Sequence, residues 1–265
     1  MRFCNNKDIF CYFWYFLLHI VVNEVKIYML YSIALALASG VVATFLGILF
    51  ALLVRVKDQT QVATVLSFSA GFMLAMVVFD MLPCAIEQSS IVVVAISLAL
   101  TLAAIAVVDK FIEHKVQAKA QGRPNYATGI IILLAMSLHD LPEGIALGAL
   151  ETLETSTAFT ILLASHNIIE GVAIGATLRA SNFANKGVII SGLLAGTPTI
   201  IGAALGYAVS GISKVFLSVG LAVASGAMLY VVFKELLKDV YHGGDKAWIG
   251  VLIGTIIGMI TVFVV

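Results

Sequence analysis

Residues 139–149 of this chain read HDLPEGIALGA, and residues 166–176 repeat the pattern as HNIIEGVAIGA. Both stretches follow the form H-[DN]-x-x-E-G-x-A-x-G-A, and the two copies begin 27 residues apart. In each copy the histidine and the glutamate are four residues apart, which places them on the same face of a helix. The sequence therefore predicts two helices that each present an imidazole and a carboxylate from one face.

The rest of the chain is strongly apolar. Of its 265 residues, 61% are hydrophobic and 11% are charged, whereas soluble domains carry about 25% charged residues. A transmembrane helix needs about 20 largely apolar residues. Eight stretches meet that need: 29–54, 62–84, 90–112, 127–150, 157–179, 187–209, 214–240 and 247–265. Because lipid cannot satisfy unpaired backbone groups and the alternating strands of a barrel are absent, we predict an all-α membrane protein with eight transmembrane helices.

Lysine and arginine indicate the orientation, because cytoplasmic loops carry an excess of both. The second and fourth loops carry none, and the sixth carries only Lys214. The odd-numbered loops and their borders carry Arg55, Lys57, Lys110, Lys115, Lys119, Arg123, Arg179, Lys186, Lys234, Lys238 and Lys246. We predict a multi-pass protein of the cell membrane with these loops in the cytoplasm and the C-terminus on the extracytoplasmic side.

An internal repeat is visible when the sequence is shifted by 155 residues, which lays the first three stretches over the last three. The matched pairs include Gly47 with Gly202, Gly71 with Gly226, Met73 with Met228 and Asp80 with Glu235. Chance similarity between apolar, glycine-rich helices is the alternative. Since three helices are an odd number, the two copies are expected to run in opposite directions, as in the inverted repeats of secondary transporters.

The two motifs bring ionisable groups to the middle of the fourth and fifth helices. The groups are two imidazoles and three carboxylates, on His139, His166, Asp140, Glu143 and Glu170. Ionisable groups at that depth are costly and usually mark an ion path, and a divalent cation would offset both their desolvation and their mutual repulsion. Imidazole with carboxylate suits zinc, iron and manganese better than magnesium or calcium. Ordinary interhelical hydrogen bonding is the alternative, but two matching motifs at matching depth argue against it.

The glycines of the motifs indicate close helix packing. Gly144 with Gly148, and Gly171 with Gly175, are small residues four apart, a spacing that lets helices approach closely. We expect this packing to bring the two motif helices together. Pro142 also cannot donate to the carbonyl of Leu138, which frees one backbone oxygen beside the motif.

At these motifs the chain resembles the ZIP (Zrt/Irt-like) family of divalent metal transporters, closest to its bacterial branch. The resemblance covers about residues 29–265, which we assign as a ZIP-like transmembrane transport domain. It implies eight helices in a 3+2+3 arrangement, with an inverted repeat of helices 1–3 and 6–8. It also implies uptake of a divalent metal toward the cytoplasm, with zinc as the first candidate and Fe²⁺ and Mn²⁺ as alternatives.

The resemblance also implies the ligands of a binuclear site between the fourth and fifth helices. The principal ion would be held by His139, Glu143, His166 and Glu170, with Met73 as a further ligand. Asp140, Asn167 and the two bridging glutamates would hold a second ion, while Asp80 and Glu235 match acidic positions near the ends of the path. The sequence departs from the family where Ile169 replaces a proline, where the third loop has only His114, and where Thr197 replaces a glutamate before Pro198. The last departure leaves open whether one or two ions bind.

Two other classes of protein, an intramembrane enzyme and a structural subunit, are the alternatives to a transporter. An intramembrane zinc-dependent hydrolase would use similar residues, but no HExxH motif is present and a hydrolase gains nothing from an inverted repeat. A structural subunit would not need five ionisable groups at mid-bilayer. The zero net charge gives no basic surface for nucleic acid, so the expected partners are the lipid bilayer, metal ions and, for a homodimer, a second copy of the chain. The sequence decides neither the physiological metal nor proton coupling.

Residues 1–28 are assigned separately from the transport domain. Arg2 and Lys7 precede an apolar run at 9–22, which is short for a span and is followed by no clear small-residue cleavage site. The segment is either an N-terminal extension, with Met29 as the true start, or a ninth, short helix.

Overall fold

The computed structural model describes residues 27–54, 59–120, 124–150, 153–208, 214–238 and 245–265. In chain order the helices are α1 (Ile27–Val54), α2 (Thr60–Gln88), α3 (Ile91–Ala120), α4 (Pro124–Ala149), α5 (Leu153–Ala180), α6 (Asn185–Ala208), α7 (Lys214–Leu236) and α8 (Asp245–Val264). These ranges contain no strand, so the all-helical prediction is confirmed for them. The assignment of residues 1–28 falls almost wholly outside the described ranges and stays a prediction.

Most of these helices have the length and composition of membrane spans. Within the described ranges seven qualify: α1, α2, α3, α5, α6, α7 and α8. The helix α4 is 26 residues long and carries the first motif, but it is not among the seven, so the eighth span stays a prediction. Outward-facing apolar side chains, such as Leu100 on α3 and Leu252, Ile256 and Phe263 on α8, are well exposed. An apolar surface of this kind suits lipid, and the prediction of a multi-pass membrane protein is confirmed.

Three helix pairs pack most extensively, α2 with α8, α4 with α6 and α1 with α5, while α7 packs against α2, α3 and α4. The 155-residue shift relates α1, α2 and α3 to α6, α7 and α8. The same shift maps the α2–α8 pair onto the α7–α3 pair. If α4 and α5 are exchanged as well, it turns α1–α5 into α6–α4. The pattern of packing therefore follows the repeat seen in the sequence.

The small-residue pairs of the two motifs do not face each other. A Cβ atom at Gly144 would overlap the carbonyl oxygen of Thr199 on α6, and a Cβ atom at Gly171 would overlap that of Thr44 on α1. The prediction that these glycines bring α4 and α5 together is therefore wrong. Each glycine follows its glutamate by one residue, which turns it by about 100° around the helix and onto a different neighbour.

These close approaches also follow the repeat. The two threonines just named are 155 residues apart. A Cβ atom at Gly47 would overlap the carbonyl oxygen of Ile168, and a Cβ atom at Gly202, 155 residues later, would overlap that of Leu141. The two carbonyl positions are themselves 27 residues apart, which is the offset between the motifs. Thus α1 packs against α5 in the same way as α6 packs against α4.

Irregular turns occur at matched places in α2 and α7. Each of these helices widens into a π-helical segment, Val77–Met81 in α2 and Val232–Leu236 in α7. Both ends of the second segment lie 155 residues after those of the first. Such π segments are often found at functional sites, and these two contain the acidic residues Asp80 and Glu235.

The backbone contact at Gly47 gives a test of this packing. Gly47→Ala places a methyl group against the α5 backbone, and overpacking of this kind costs roughly 1–3 kcal/mol. Gly187→Ala is the matched control, because a Cβ atom there would come no closer than 3.7 Å to Phe183 and helix propensity favours alanine by about 1 kcal/mol. We expect a lower thermal unfolding midpoint for Gly47→Ala in detergent, and an unchanged or higher one for Gly187→Ala. Equal midpoints for the two variants would contradict the α1–α5 contact.

Candidate metal centre

The polar residues of the two motifs lie inside the protein, where α4 faces α5. None of the six residues is more than 2% exposed: His139, Asp140, Glu143, His166, Asn167 and Glu170. Burying charged or imidazole groups so completely is costly unless each finds a partner. Each of these six groups therefore needs a partner inside the protein.

The histidine of each motif contacts the glutamate of the other. His139 Nε2 lies 2.9 Å from Glu170 Oε1, and His166 Nε2 lies 3.1 Å from Glu143 Oε2. This reciprocal pairing follows from the four-residue spacing, because two neighbouring helices that run in opposite directions bring the first position of one level with the last position of the other. Two imidazoles and two carboxylates are thus gathered in one buried place.

The ligand atoms of the motifs fall into two overlapping groups. Nitrogen and carboxylate oxygen atoms of His139, Glu143 and His166 all lie within 4.8 Å of one another, and the same holds for His139, Asp140 and Glu170. Zinc binds such atoms at about 2.0–2.2 Å, so small side-chain rotations would close either group around an ion. The overlap at His139 means that the two groups form one continuous centre.

Several buried polar atoms on α4, α5 and their neighbours α1 and α6 have no hydrogen-bond partner among the described residues. The oxygen atoms are Glu143 Oε1, Asp140 Oδ1, Asn167 Oδ1, Thr44 Oγ1 and Thr199 Oγ1. A buried polar atom left unpaired costs about 1–3 kcal/mol. Carboxylate and amide oxygens are atoms that divalent cations accept as ligands, so a bound cation would offset part of this cost.

The remaining hydrogen bonds orient the ligands. His166 Nδ1 lies 3.2 Å from the Leu162 carbonyl oxygen, which can only accept, so Nδ1 carries a proton and Nε2 faces the site. Asn167 Nδ2 donates to the Ser39 carbonyl at 2.8 Å, inside the π-helical segment Leu37–Val42 of α1. This bond directs the amide oxygen away from Ser39. Outer contacts of this kind fix the geometry of metal ligands.

Two residues singled out from the sequence have other surroundings. The Thr197 hydroxyl donates to the Leu193 carbonyl at 2.9 Å, so its hydrogen atom is already used within α6. Met73 is fully buried in an apolar cluster that also contains Met228 and Ile174. Its role as a metal ligand stays a prediction.

The sequence reading missed Thr44, Thr199 and the Ser39 carbonyl. The two threonines could have been found from the repeat itself, because they occupy matched positions 155 residues apart. No local signal marks Ser39, since its contribution is a backbone oxygen within the π-helical segment of α1.

Comparison with known sequences identifies the family. The sequence profile described as ZIP zinc transporter matches residues 116–265, more than half of the chain. The chain belongs to the ZIP family.

Individual relatives are similar over different shares of the chain. Zinc transporter GufA of Myxococcus xanthus is 33% identical over 154 residues, which cover 56% of this chain and 61% of GufA. The match thus spans less than two thirds of GufA. Zinc transporter ZupT of Escherichia fergusonii is 29% identical over 228 residues, covering 80% of this chain and 88% of that protein. ZupT of Salmonella heidelberg is 28% identical over 242 residues, covering 85% and 93%.

Membership in the ZIP family confirms the prediction of a bacterial-type transporter of divalent metal. The chain is not an enzyme, and the alternative of an intramembrane hydrolase finds no support. The metal is therefore cargo, and the ligands must release it as well as bind it.

The two glutamates give a direct test of the centre. Glu143→Gln removes one negative charge and keeps the size of the side chain, so we expect zinc affinity to fall more than the roughly 10–100-fold that loss of an outer partner costs. Glu170→Gln should behave alike, because its contact with His139 mirrors that of Glu143 with His166. Glu87→Gln, at an exposed position on α2, is the matched control. Equilibrium dialysis of purified protein with radioactive zinc measures the affinity, and unchanged binding by a folded Glu143→Gln variant would rule out this site.

Proposed function

We propose that this ZIP chain carries zinc into the cytoplasm through the buried centre between α4 and α5. The observation that carries the proposal is the reciprocal pairing of His139 with Glu170 and of His166 with Glu143, entirely inside the protein. The relatives GufA and ZupT, both described as zinc transporters, support zinc as the cargo. Fe²⁺ and Mn²⁺ accept the same ligand types and are the alternative cargoes.

The principal ion would be held by His139, Glu143, His166 and Glu170. Two neutral imidazoles and two carboxylates balance the charge of one divalent cation and suit the four-coordinate geometry of zinc. Met73, fully buried on α2, is the further ligand proposed. Because each histidine contacts a carboxylate through Nε2, any proton held between them must leave before the ion can bind.

A second ion would use Asp140, Asn167 and the two glutamates as bridges. Adjacent divalent cations repel each other strongly unless enough carboxylates surround them. Thr197 offers only a neutral hydroxyl where the family resemblance leads one to expect glutamate, and that hydroxyl already bonds to Leu193. Asp140, whose Oδ1 lies 3.5 Å from His139 Nε2, is the carboxylate that could compensate. We favour a weak second site, because a carboxylate on a different helix rarely restores the same coordination.

We further propose that α4 also crosses the bilayer, which gives eight spans in a 3+2+3 arrangement. Its 26 residues extend about 39 Å at 1.5 Å per residue, longer than the hydrocarbon core of about 30 Å. Its motif residues His139, Asp140 and Glu143 are buried, so they are not presented to lipid. With α4 and α5 between them, helices α1–α3 and α6–α8 form an inverted repeat, and the pairwise packing described above supports this reading. A homodimer stays a prediction.

Alternating access would use this symmetry. A site near the midplane of two inverted copies can open to either side when one part of the bundle moves relative to the other. The glycine contacts join α1 to α5 and α6 to α4, so each motif is carried with a helix from a different copy. Movement between these units would expose the centre alternately.

Zinc uptake into sealed vesicles tests the function. Purified protein reconstituted into liposomes should transport radioactive zinc from the outside into the lumen, and Glu143→Gln should reduce the initial rate at least tenfold because the ion loses a charged ligand. Excess Mn²⁺ and Fe²⁺ in competition assays rank the alternative cargoes. Uptake by Glu143→Gln at the wild-type rate, with equal amounts of protein in the vesicles, would show that the ion takes another route.

Labelling from one side of the membrane tests the orientation. The distribution of lysine and arginine predicts that position 121 faces the cytoplasm, that position 155 faces outward and that the C-terminus is extracytoplasmic. Gln121→Cys and Thr155→Cys, each in a background without Cys4, Cys11 and Cys84, should therefore differ in intact cells. A membrane-impermeant maleimide is expected to label position 155 and to spare position 121 until the cells are lysed. The reverse pattern would invert the proposed topology.

A further inference from the structure

The two histidines of the candidate metal centre are held differently, although their motifs match. His166 Nδ1 donates to the Leu162 carbonyl at 3.2 Å, which fixes the rotation of the ring. The repeated motif predicts the same bond from His139 to the carbonyl four residues before it. His139 Nδ1, however, is buried and has no hydrogen-bond partner among the described residues. One imidazole of the pair is therefore anchored by its own helix, and the other is not.

The unanchored ring is also the one with competing partners. Among the described residues, His139 is the member shared by the two overlapping groups of ligand atoms, one with Glu143 and His166 and the other with Asp140 and Glu170. Its Nε2 lies 2.9 Å from Glu170 Oε1 and 3.5 Å from Asp140 Oδ1. A bond from this nitrogen to either carboxylate oxygen competes with a bond from the same nitrogen to an ion.

This difference affects the free energy that each histidine contributes to holding an ion. Both rings give up a contact with a glutamate when Nε2 turns to the ion, but His166 keeps the hydrogen bond at its other nitrogen. The neutral His139 ring, bound in the same way, would carry a buried N–H group without an acceptor, which is costly. Outer partners of metal-binding histidines typically contribute about 10–100-fold to affinity. The His166 ring is thus ready to bind, whereas the His139 ring must rearrange.

We infer that His166 is the histidine that binds the zinc ion first and releases it last, whereas His139 binds last and leaves first. The inference rests on the proposed function, since it concerns the order in which the ligands of the proposed centre exchange. An ion held by His166 and the glutamates, with His139 detached, is then the intermediate of both loading and release. The Leu162 carbonyl acts as a positioning group, because it orients the His166 ring without touching the ion.

Rate constants for zinc binding to purified protein in detergent test this order. A rate constant depends on the free-energy gap between its starting state and the transition state, so a bond that forms early affects association and a bond that breaks early affects release. His166→Gln should lower the association rate constant by about tenfold or more and change the release rate constant less than about threefold. His139→Gln should do the reverse, with release about tenfold faster or more and association nearly unchanged. His114→Gln, exposed on α3, is the control and should change neither.

Stopped-flow mixing with excess zinc measures association, and mixing of loaded protein with a fluorescent chelator measures release. Equal effects of the two motif variants on each rate constant, or the opposite assignment, would overturn the proposed order while leaving the centre in place. If both variants fold and bind zinc as the wild type does, the centre itself is wrong and the inference fails with it. The two kinds of failure are therefore distinguishable.

Nitrogen NMR of the imidazole rings supplies a second measurement if a glutamine variant does not fold. Labelling of serine and histidine together identifies His166, because it follows Ser165, whereas His139 and His19 each follow a leucine. Leucine and histidine labelling in a His19→Gln background therefore identifies His139. The Nδ1 atom of His166 should carry a hydrogen-bonded proton with and without zinc, and that of His139 should change its state when zinc binds. A His139 signal that zinc leaves unchanged would contradict the inference, as would loss of the His166 proton.

Discussion

Carboxylates buried inside a protein must find positive or hydrogen-bonding partners, and the pairing of the two motifs meets much of that requirement. The four-residue spacing in each motif sets histidine and glutamate on one face, and the opposed directions of α4 and α5 make the two faces complementary. Neither helix could satisfy these groups alone, because Nε2 of each histidine pairs with a glutamate on the other helix. The site therefore exists only when the two helices are packed together.

The glycine contacts explain how these helices are supported. Gly144 and Gly171 let α6 and α1 approach the backbone of the motif helices so closely that no side chain fits between them. Because the polar face of each motif helix is turned away from its glycine face, one helix can contact a tight partner and the metal centre at once. Close packing and chemistry thus use different sides of the same eleven-residue pattern.

Much of this arrangement can be predicted from the sequence, because the signals are local or periodic. The apolar stretches predict the spans, and the repeated motif predicts which side chains share the centre. The partner of Gly144 could not be predicted, since small residues indicate close approach without naming the neighbour. The pairing of Asp109 with Lys234 could not be predicted either, because 125 residues separate them and no sequence pattern links them. The use of the Thr197 hydroxyl within its own helix also depends on local geometry that composition does not reveal.

The division of the proposed metal centre between α4 and α5 would give the cargo a mechanical role. One half of the ligands belongs to the unit formed by α4 and α6, and the other half to the unit formed by α5 and α1. An ion bound to both halves would cross-link the two units and would add to the two hydrogen bonds that join these described residues, His139 with Glu170 and His166 with Glu143. Binding of the ion should therefore make the interface between these two units more rigid, and its release should make the interface more flexible. The protein that has just released its ion should then be the form that changes conformation most readily.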